Sequence, residues 1–418
     1  MTSLSRRSFL QVAGTGVLLS AASPAAWAAD GDKPLRVYSL VVDGCSPDEI
    51  TPQLTPRLHE LREAGTSFPQ ARSLPVMETI PNHVMMMTGV RPDRSGVPAN
   101  SVYDAAQGEV RTLDRASDLR FDTLLDRLRD NGKVTGSVLS KEYLYGVFGT
   151  RASVRWEPKP VLPITGHAPD LFTANALMSM VDSADPDFAF ANFGDVDRMG
   201  HADLTGTTLR AARTAALASA DAQVGRFVDH LVDTGRWSSS VLLICADHSM
   251  DWSWAHKVIS LQKAMGDDPL LAGRIQIAQN GGADLLYFTG PTAERDAAVA
   301  RMRELALATE GVLSAHDPRD LRLGAEAGDL LVYCEPGWRF ADPEVISNPI
   351  PGNHGHPATE PIPFFTTGGH PAVRTGTSSA EAHTIDVAPT LGALFGLPAP
   401  TGGYDGTARA EAFDFSRL

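Results

Sequence analysis

The stretch Val241-Leu242-Leu243-Ile244-Cys245-Ala246-Asp247-His248 passes from six apolar residues straight into a carboxylate and an imidazole. A short, unbroken apolar run reads as a strand buried on both faces, as in a parallel sheet covered by helices. The pattern recurs outward from this point. Leu35–Val42 runs into Asp43 and Gly44, and Phe188–Phe193 precedes Asp197 and His201. Val134–Leu139, Leu285–Phe288 and Phe364–Thr366 are further runs of the same kind. Helix-like stretches lie between them at Thr55–Ala64, Phe121–Asp130, Thr208–Leu231 and Ala293–Thr309, with Gly65, Gly132 and Gly311 placed to end three of them. Alternating strands and helices predict an α/β fold, with a mostly parallel sheet flanked by helices. In such sheets ligands gather at the carboxyl ends of the strands.

Chemistry-bearing residues cluster at those ends. They are Asp43, then Asp197 with His201, then Asp247 with His248, and finally His354 in Gly352-Asn353-His354-Gly355. Alone, each reads as a helix cap or an exposed loop histidine. Together, three carboxylates and three imidazoles make two sets of three, the number a catalytic metal site uses while leaving a position open. Thr79 sits in Met77-Glu78-Thr79-Ile80-Pro81-Asn82-His83. A free hydroxyl is a weak nucleophile, but metal coordination can activate it. The same threonine before Pro81 also reads as a helix N-cap, and a helix N-terminus favours a phosphate.

At these residues the sequence resembles the alkaline phosphatase superfamily, and within it the type I phosphodiesterase/nucleotide pyrophosphatase family. The likeness runs from Asp43 to about Tyr404. It is carried by Val42-Asp43-Gly44, Thr79-x-Pro81-Asn82-His83, Thr88-Gly89-x-Arg91-Pro92, Asn100-Ser101-x-Tyr103-Asp104, Asp197-x-x-Gly200-His201, Asp247-His248-Ser249-Met250, Gly352-x-His354-Gly355 and Ile385-Asp386-Val387-Ala388-Pro389-Thr390. The resemblance implies two divalent metal ions, zinc by expectation. Asp43, Thr79, Asp247 and His248 would surround one; Asp197, His201 and His354 would hold the other. Thr79 would attack phosphorus and form a phosphothreonine. Asn100 would bind a phosphoryl oxygen.

The sequence departs from the family pattern in places. Ser249 stands where the family has glycine. Asp195 competes with Asp197, and the four-residue step to His201 favours Asp197, leaving Asp195 a supporting or capping role. His356 competes with His354, and the Gly-x-His-Gly setting favours His354. Lys141, in Ser140-Lys141-Glu142-Tyr143, resembles the first cation of a Lys-x-Arg or Lys-x-Lys pair seen in monoesterase and phosphonoacetate-cleaving relatives, with Tyr143 in the second place. Lys141 is thus a candidate for binding a phosphate oxygen or a substrate carboxylate, or else a plain strand-end lysine. Cys45-Ser46-Pro47-Asp48-Glu49 lacks the arginine of a sulfatase motif, and Thr79 holds the nucleophile position.

The chain has 418 residues, with 36 Lys and Arg against 50 Asp and Glu, a net charge of −14. That balance argues against a nucleic-acid binder, and the absence of a long apolar run argues against a membrane span. Ser5-Arg6-Arg7-Ser8-Phe9-Leu10, a weakly apolar stretch and Ala26-Trp27-Ala28 read as a twin-arginine (Tat) export signal over residues 1–28. The Tat translocase and a periplasmic or extracellular location are therefore expected. Cys45, Cys245 and Cys334 match no zinc or disulfide spacing and read as core thiols. Residues 29–418 are expected to form one metallohydrolase domain with an alkaline-phosphatase-like core and a smaller cap inserted within about 255–345. Trp252, Trp254, Trp338 and Tyr145 could face the cleft or pack the cap. The expected activity is exported phosphodiester or pyrophosphate hydrolysis on small molecules. The alternatives are monoester or phosphonoacetate-type C–P hydrolysis using Lys141, and a metal-bound binding protein without turnover.

Overall fold

Strand Arg36–Val42 lies at the centre of an eight-stranded sheet. The computed structural model describes residues 34–158, 166–342 and 351–418, so the expected export signal at 1–28 lies outside the described residues. Across the sheet the order is Gly376–Thr377, Thr66–Ser67, Phe364–Thr367, Ser240–Cys245, Arg36–Val42, Phe188–Phe193, Thr135–Leu139, Val154–Trp156. The last five are mutually parallel. Phe364–Thr367 runs against its two neighbours. The α/β architecture with a mostly parallel sheet and flanking helices is therefore observed. Ser240–Cys245 and Phe188–Phe193 are buried along their whole length, which is why they read as unbroken apolar runs.

The helices begin one to three residues later than their sequence patterns suggest. Thr123 and Asp126 form a reciprocal capping box, so that helix is Leu124–Asp130. The long helix is Ala211–Asp233. Its start is delayed because the Asp203 carboxylate holds Thr205 and the Arg213 amide, and Arg210 turns into the left-handed region at φ 50°. The other two helices are Pro56–Glu63 and Arg295–Leu307.

One expectation is corrected. The run at Leu285–Phe288 does not join the main sheet. It belongs to strand Ala283–Phe288 of a separate four-stranded antiparallel sheet, ordered Ile275–Asn280, Ala283–Phe288, Leu330–Cys334, Val312–His316. Gly281 at φ 63° makes the tight reversal before it. The strand looked like a parallel-sheet strand because both its faces are covered. Leu285 joins the main core, while Leu286 and Phe288 join a second core with Met302 and Phe340. All three cysteines are buried free thiols. Among the described residues, no helix is long and apolar enough to cross a membrane.

A fully buried arginine ties the sheet's loops together. Arg213 Nε donates to Glu49 Oε1 at 2.6 Å, Nη2 to the Gly44 carbonyl at 2.6 Å and Nη1 to the Val196 carbonyl at 3.3 Å. One guanidinium thus spans the turn after Asp43 and the helix that carries Asp197. Removing it strands the Glu49 carboxylate in a buried setting. Arg213→Met should cost about 3–5 kcal/mol of unfolding free energy in urea titrations. The double variant with Glu49→Gln should recover part of that loss.

Candidate active site

Asp43 follows its strand directly, and its amide donates to the Phe193 carbonyl at 3.0 Å. Gly44, at φ 73°, packs so closely that an added Cβ would meet the Asp197 Cα at 3.0 Å. This close turn draws the two aspartates together. The Gly44 amide donates to Asp247 Oδ1 at 3.0 Å, fixing the third aspartate in the same place. All three carboxylates are buried.

Helix Thr79–Thr88 has every residue buried. Glu78 is its N-cap residue, so Thr79 is the first helical residue, not the cap itself. Asn82 explains how the chain approaches Thr79. Its amide donates to the carbonyls of Leu74, Val76 and Glu78, pinning the chain ahead of Thr79. The Thr79 hydroxyl lies 3.2 Å from His248 Nε2.

Asp197 and His201 share one face of helix Asp195–Ala202. Asp197 Oδ1 lies 3.3 Å from His201 Nε2 and 3.5 Å from His354 Nε2, and the two Nε2 atoms are 3.0 Å apart. Ligands at about 2.0–2.1 Å from a tetrahedral ion lie about 3.3–3.4 Å from one another, so this trio has the right spread. Asp197 Oδ1 and Asp247 Oδ2 are buried with no hydrogen-bond partner. Donor atoms left bare in this way suit a metal and are costly without one. His201 Nδ1 sits 2.8 Å from the Gly352 carbonyl, and His248 Nδ1 2.9 Å from that of Ser249, which leaves each Nε2 to ligate.

The second set is less simply arranged. His248 Nε2 is 3.3 Å from Asp247 Oδ2 and 4.0 Å from Asp43 Oδ1. Two ligand-like groups overlap here: Asp43, Asp197 and His248, and Asp43, His83 and Asp247. His83 thus enters a place that sequence reasoning gave to others. Its Nδ1 sits 2.9 Å from the Thr79 carbonyl and 3.5 Å from Asp247 Oδ2. His354 stacks on His248, with ring centroids 3.7 Å apart.

The competing residues are placed elsewhere. Asp195 Oδ1 accepts from His167 Nε2 at 2.8 Å, and Asp195 Oδ2 accepts from the Asp170 amide. His356 Nε2 faces Asp251 at 3.1 Å. Asn100 stands beside Thr79, its Oδ1 accepting from the Ile80 amide at 2.8 Å. Lys141 is buried, with Nζ 2.8 Å from Asp43 Oδ1 and 2.7 Å from Asp197 Oδ2. Burial disfavours its charge, but Asp197 and Asp43 outweigh burial and hold it firmly protonated.

A cavity of about 840 Å³ opens over these groups, lined among others by Thr79, Asn100, Tyr143, His201 and His354, with Gln279 and Gly281 from the second sheet. Tyr143 stands on its wall, and among the described residues no tryptophan lines it. Trp252 is buried beneath Arg210, whose guanidinium lies 4.0 Å from the ring centroid. Sequence reasoning also missed Asn192, whose Nδ2 donates to Asp43 Oδ2 at 2.7 Å. An asparagine inside a buried strand was the available signal, since such a polar group needs a partner.

A buried threonine at a helix start, facing carboxylates and imidazoles at the carboxyl edge of a parallel sheet, places the protein among the phosphoester hydrolases of the alkaline phosphatase superfamily. Within that class the chain belongs to the type I phosphodiesterase / nucleotide pyrophosphatase family, whose family model matches residues 37–357. That family is metal-dependent, and the acidic and histidine groups here could bind a metal. The chain is 22% identical over 385 residues to the bis(5'-adenosyl)-triphosphatase enpp4 of Xenopus laevis, covering 87% of this chain and 78% of that one. Murine ectonucleotide pyrophosphatase/phosphodiesterase 5 shares the fold, with a TM-score of 0.75 at 16% identity, covering 91% of this chain and 100% of that one. An inactive variant of the murine protein has been solved in complex with AMP. Phosphonoacetate hydrolase from Sinorhizobium meliloti 1021, in complex with phosphonoformate, superposes with a TM-score of 0.66 at 18% identity over 85% of this chain and 94% of that one.

The histidines differ in charge before any metal binds. Burial lowers His248 to about 3, so it is neutral. Burial also opposes charge on His354, but Glu78 and Asp197 outweigh it and raise the ring to about 9. His354 is therefore protonated at neutral pH in the metal-free protein, a stabilising charge that is lost as pH rises through about 9. A metal at Nε2 must displace that proton. Zinc affinity should rise with pH between about 6.5 and 9 and then level off. Titration calorimetry at pH 7 in two buffers of different ionisation enthalpy should show proton release; identical heats in both would contradict it.

Proposed function

We propose that this protein is an exported two-metal phosphodiesterase or nucleotide pyrophosphatase acting on small phosphodiesters or pyrophosphates through a phosphothreonine. The observation that carries the reading is the Thr79 hydroxyl, held at the head of a buried helix 3.2 Å from His248 Nε2. Asp43, Asp247 and His248, with Thr79, would hold one ion; Asp197, His201 and His354 would hold the other. Mixed imidazole and carboxylate donors suit zinc. When bound, such ions supply positive charge against phosphoryl oxygens and lower the pKa of a coordinated hydroxyl.

The chain's own residues do the rest. Thr79 Oγ gives up its proton and forms a bond to phosphorus while the bond to the leaving oxygen breaks. The leaving oxygen departs with that electron pair. Water then attacks the phosphothreonine, releasing the phosphoryl product and restoring the hydroxyl. The Asn100 amide would present a hydrogen-bond donor to a phosphoryl oxygen.

Lys141 bears on the choice of substrate. Its ammonium is engaged by Asp43 and Asp197 at 2.8 and 2.7 Å. The remaining wall of the pocket offers the neutral donors Asn100 and Tyr143 together with the cationic side chain of Arg198. The engagement of Lys141 by two aspartates favours a phosphoryl group with a second organic substituent over a monoester or phosphonoacetate that needs Lys141 as its cation. Export through the Tat pathway rests on the twin-arginine segment alone.

On zinc-loaded protein, bis-p-nitrophenyl phosphate should be cleaved much faster than p-nitrophenyl phosphate at the same pH. A preference for the monoester would return Lys141 to the role of substrate cation. Thr79→Ala should lower kcat by about a thousandfold or more. Elemental analysis should still find two metals bound. Undiminished turnover would remove the phosphothreonine mechanism.

A further inference from the structure

Glu78 precedes the nucleophile, is buried, and lines the same cavity. Its two oxygens face two different parts of the site. Oε2 accepts from Asn100 Nδ2. Oε1 lies 3.1 Å from His354 Nδ1. The carboxylate is confined by two glycines: a Cβ added at Gly281 or at Gly355 would stand 3.0 Å from Oε1. Burial opposes its charge, but His354 more than compensates and keeps it ionised.

Resting on the reading above, we propose that Glu78 is a positioning residue: its single carboxylate orients the Asn100 amide toward the phosphoryl pocket and fixes the His354 ring with Nε2 free to bind a metal. The Asn100 amide is held at both ends. Oδ1 takes the Ile80 N–H and Nδ2 gives one hydrogen to Glu78. A flipped amide would set its NH2 against the Ile80 N–H and its oxygen against the carboxylate, so the flip is excluded. The second Nδ2 hydrogen is left for a phosphoryl oxygen. At His354, Nδ1 faces only acceptors, Glu78 Oε1 and the Met77 carbonyl at 3.1 Å. The Nδ1 proton is therefore the one retained, and it is the Nε2 proton, facing His201 and Asp197, that a metal would displace. A carboxylate behind a ligating imidazole both fixes the tautomer and strengthens the ligand.

Glu78→Gln keeps the volume but sets an NH2 group against one of the two partners. It should weaken the affinity for one of two zinc ions about tenfold or more, read by competition with a chromophoric chelator. It should also lower kcat on bis-p-nitrophenyl phosphate. Combined with Asn100→Ala, the loss in kcat should be less than the product of the two single losses. Unchanged zinc affinity, or strictly multiplicative losses, would overturn the assignment. Should Glu78→Gln fail to fold, Glu78→Asp carries the same test, because it retains the charge and shortens the reach. The zinc measurement needs no turnover. A wild-type protein that binds zinc without cleaving the diester would therefore sink the proposed activity and leave the effect of Glu78 on metal affinity measurable.

Discussion

Three buried aspartates, Asp43, Asp197 and Asp247, meet where three parallel strands end, and much of the structure answers the repulsion among them. Two unit charges 4 Å apart at an effective dielectric of 20 interact by about 4 kcal/mol, a large fraction of a domain's net stability. Burial, and then Asp247, push the Asp43 carboxyl upward. The molecule supplies compensation from every side. Lys141 bridges Asp43 and Asp197 with one ammonium. Asn192 covers the other oxygen of Asp43, and the Gly44 amide serves Asp247. His201 and His354 flank Asp197. Asp197 Oδ1 and Asp247 Oδ2, though imidazoles face them, accept no hydrogen bond and are left with acceptor capacity for a cation. A site balanced this way has the donor set and the residual negative charge that could hold a divalent cation.

The clamp formed by Arg213 belongs to the same logic at longer range. The carboxylates can be held close only if their loops cannot relax apart. A guanidinium with fixed fork geometry reaches the carbonyls of Gly44 and Val196 at once, which a flexible ammonium could not do as rigidly. Glu49 balances its charge without drawing on the aspartates of the site.

Much of this was legible in the sequence because the fold writes itself in simple patterns. Strands covered on both faces appear as apolar runs, and residues at their carboxyl ends stand out as polar punctuation. The Asp197 and His201 pair was readable from its four-residue step. The position of Lys141 was readable, but its partners were not, since the distance from Asp43 to Lys141 along the chain gives no hint that they touch. Asn192 and Glu78 escaped notice for opposite reasons. The first is hidden inside a strand that looked wholly apolar, and the second stands beside a nucleophile that drew attention away. The Ala283–Phe288 strand shows the limit of the apolar-run rule. Coverage on both faces produces the same signal whether it comes from flanking helices or from two adjoining cores, so the run alone could not say which sheet it would join.

The second sheet also explains how a candidate ligand contributed so late in the chain, His354, arrives accurately. Between His248 and His354 the chain leaves the main sheet, builds the antiparallel sheet and returns. Its return is registered against that sheet: Gly282, in the reversal between the first two strands, donates its amide to the His354 carbonyl. Gly352–Asn353 pairs with Asp251–Trp252, close behind His248. His354 is therefore fixed from three directions: by the inserted sheet, by the strand following His248, and by the Met77 and Glu78 segment ahead of the nucleophile. A displacement of the inserted sheet would move this ligand and Gly281 together, and Gly281 also confines the Glu78 carboxylate. The cavity wall and the His354 imidazole are thus parts of one mechanical unit, so altering one changes the other.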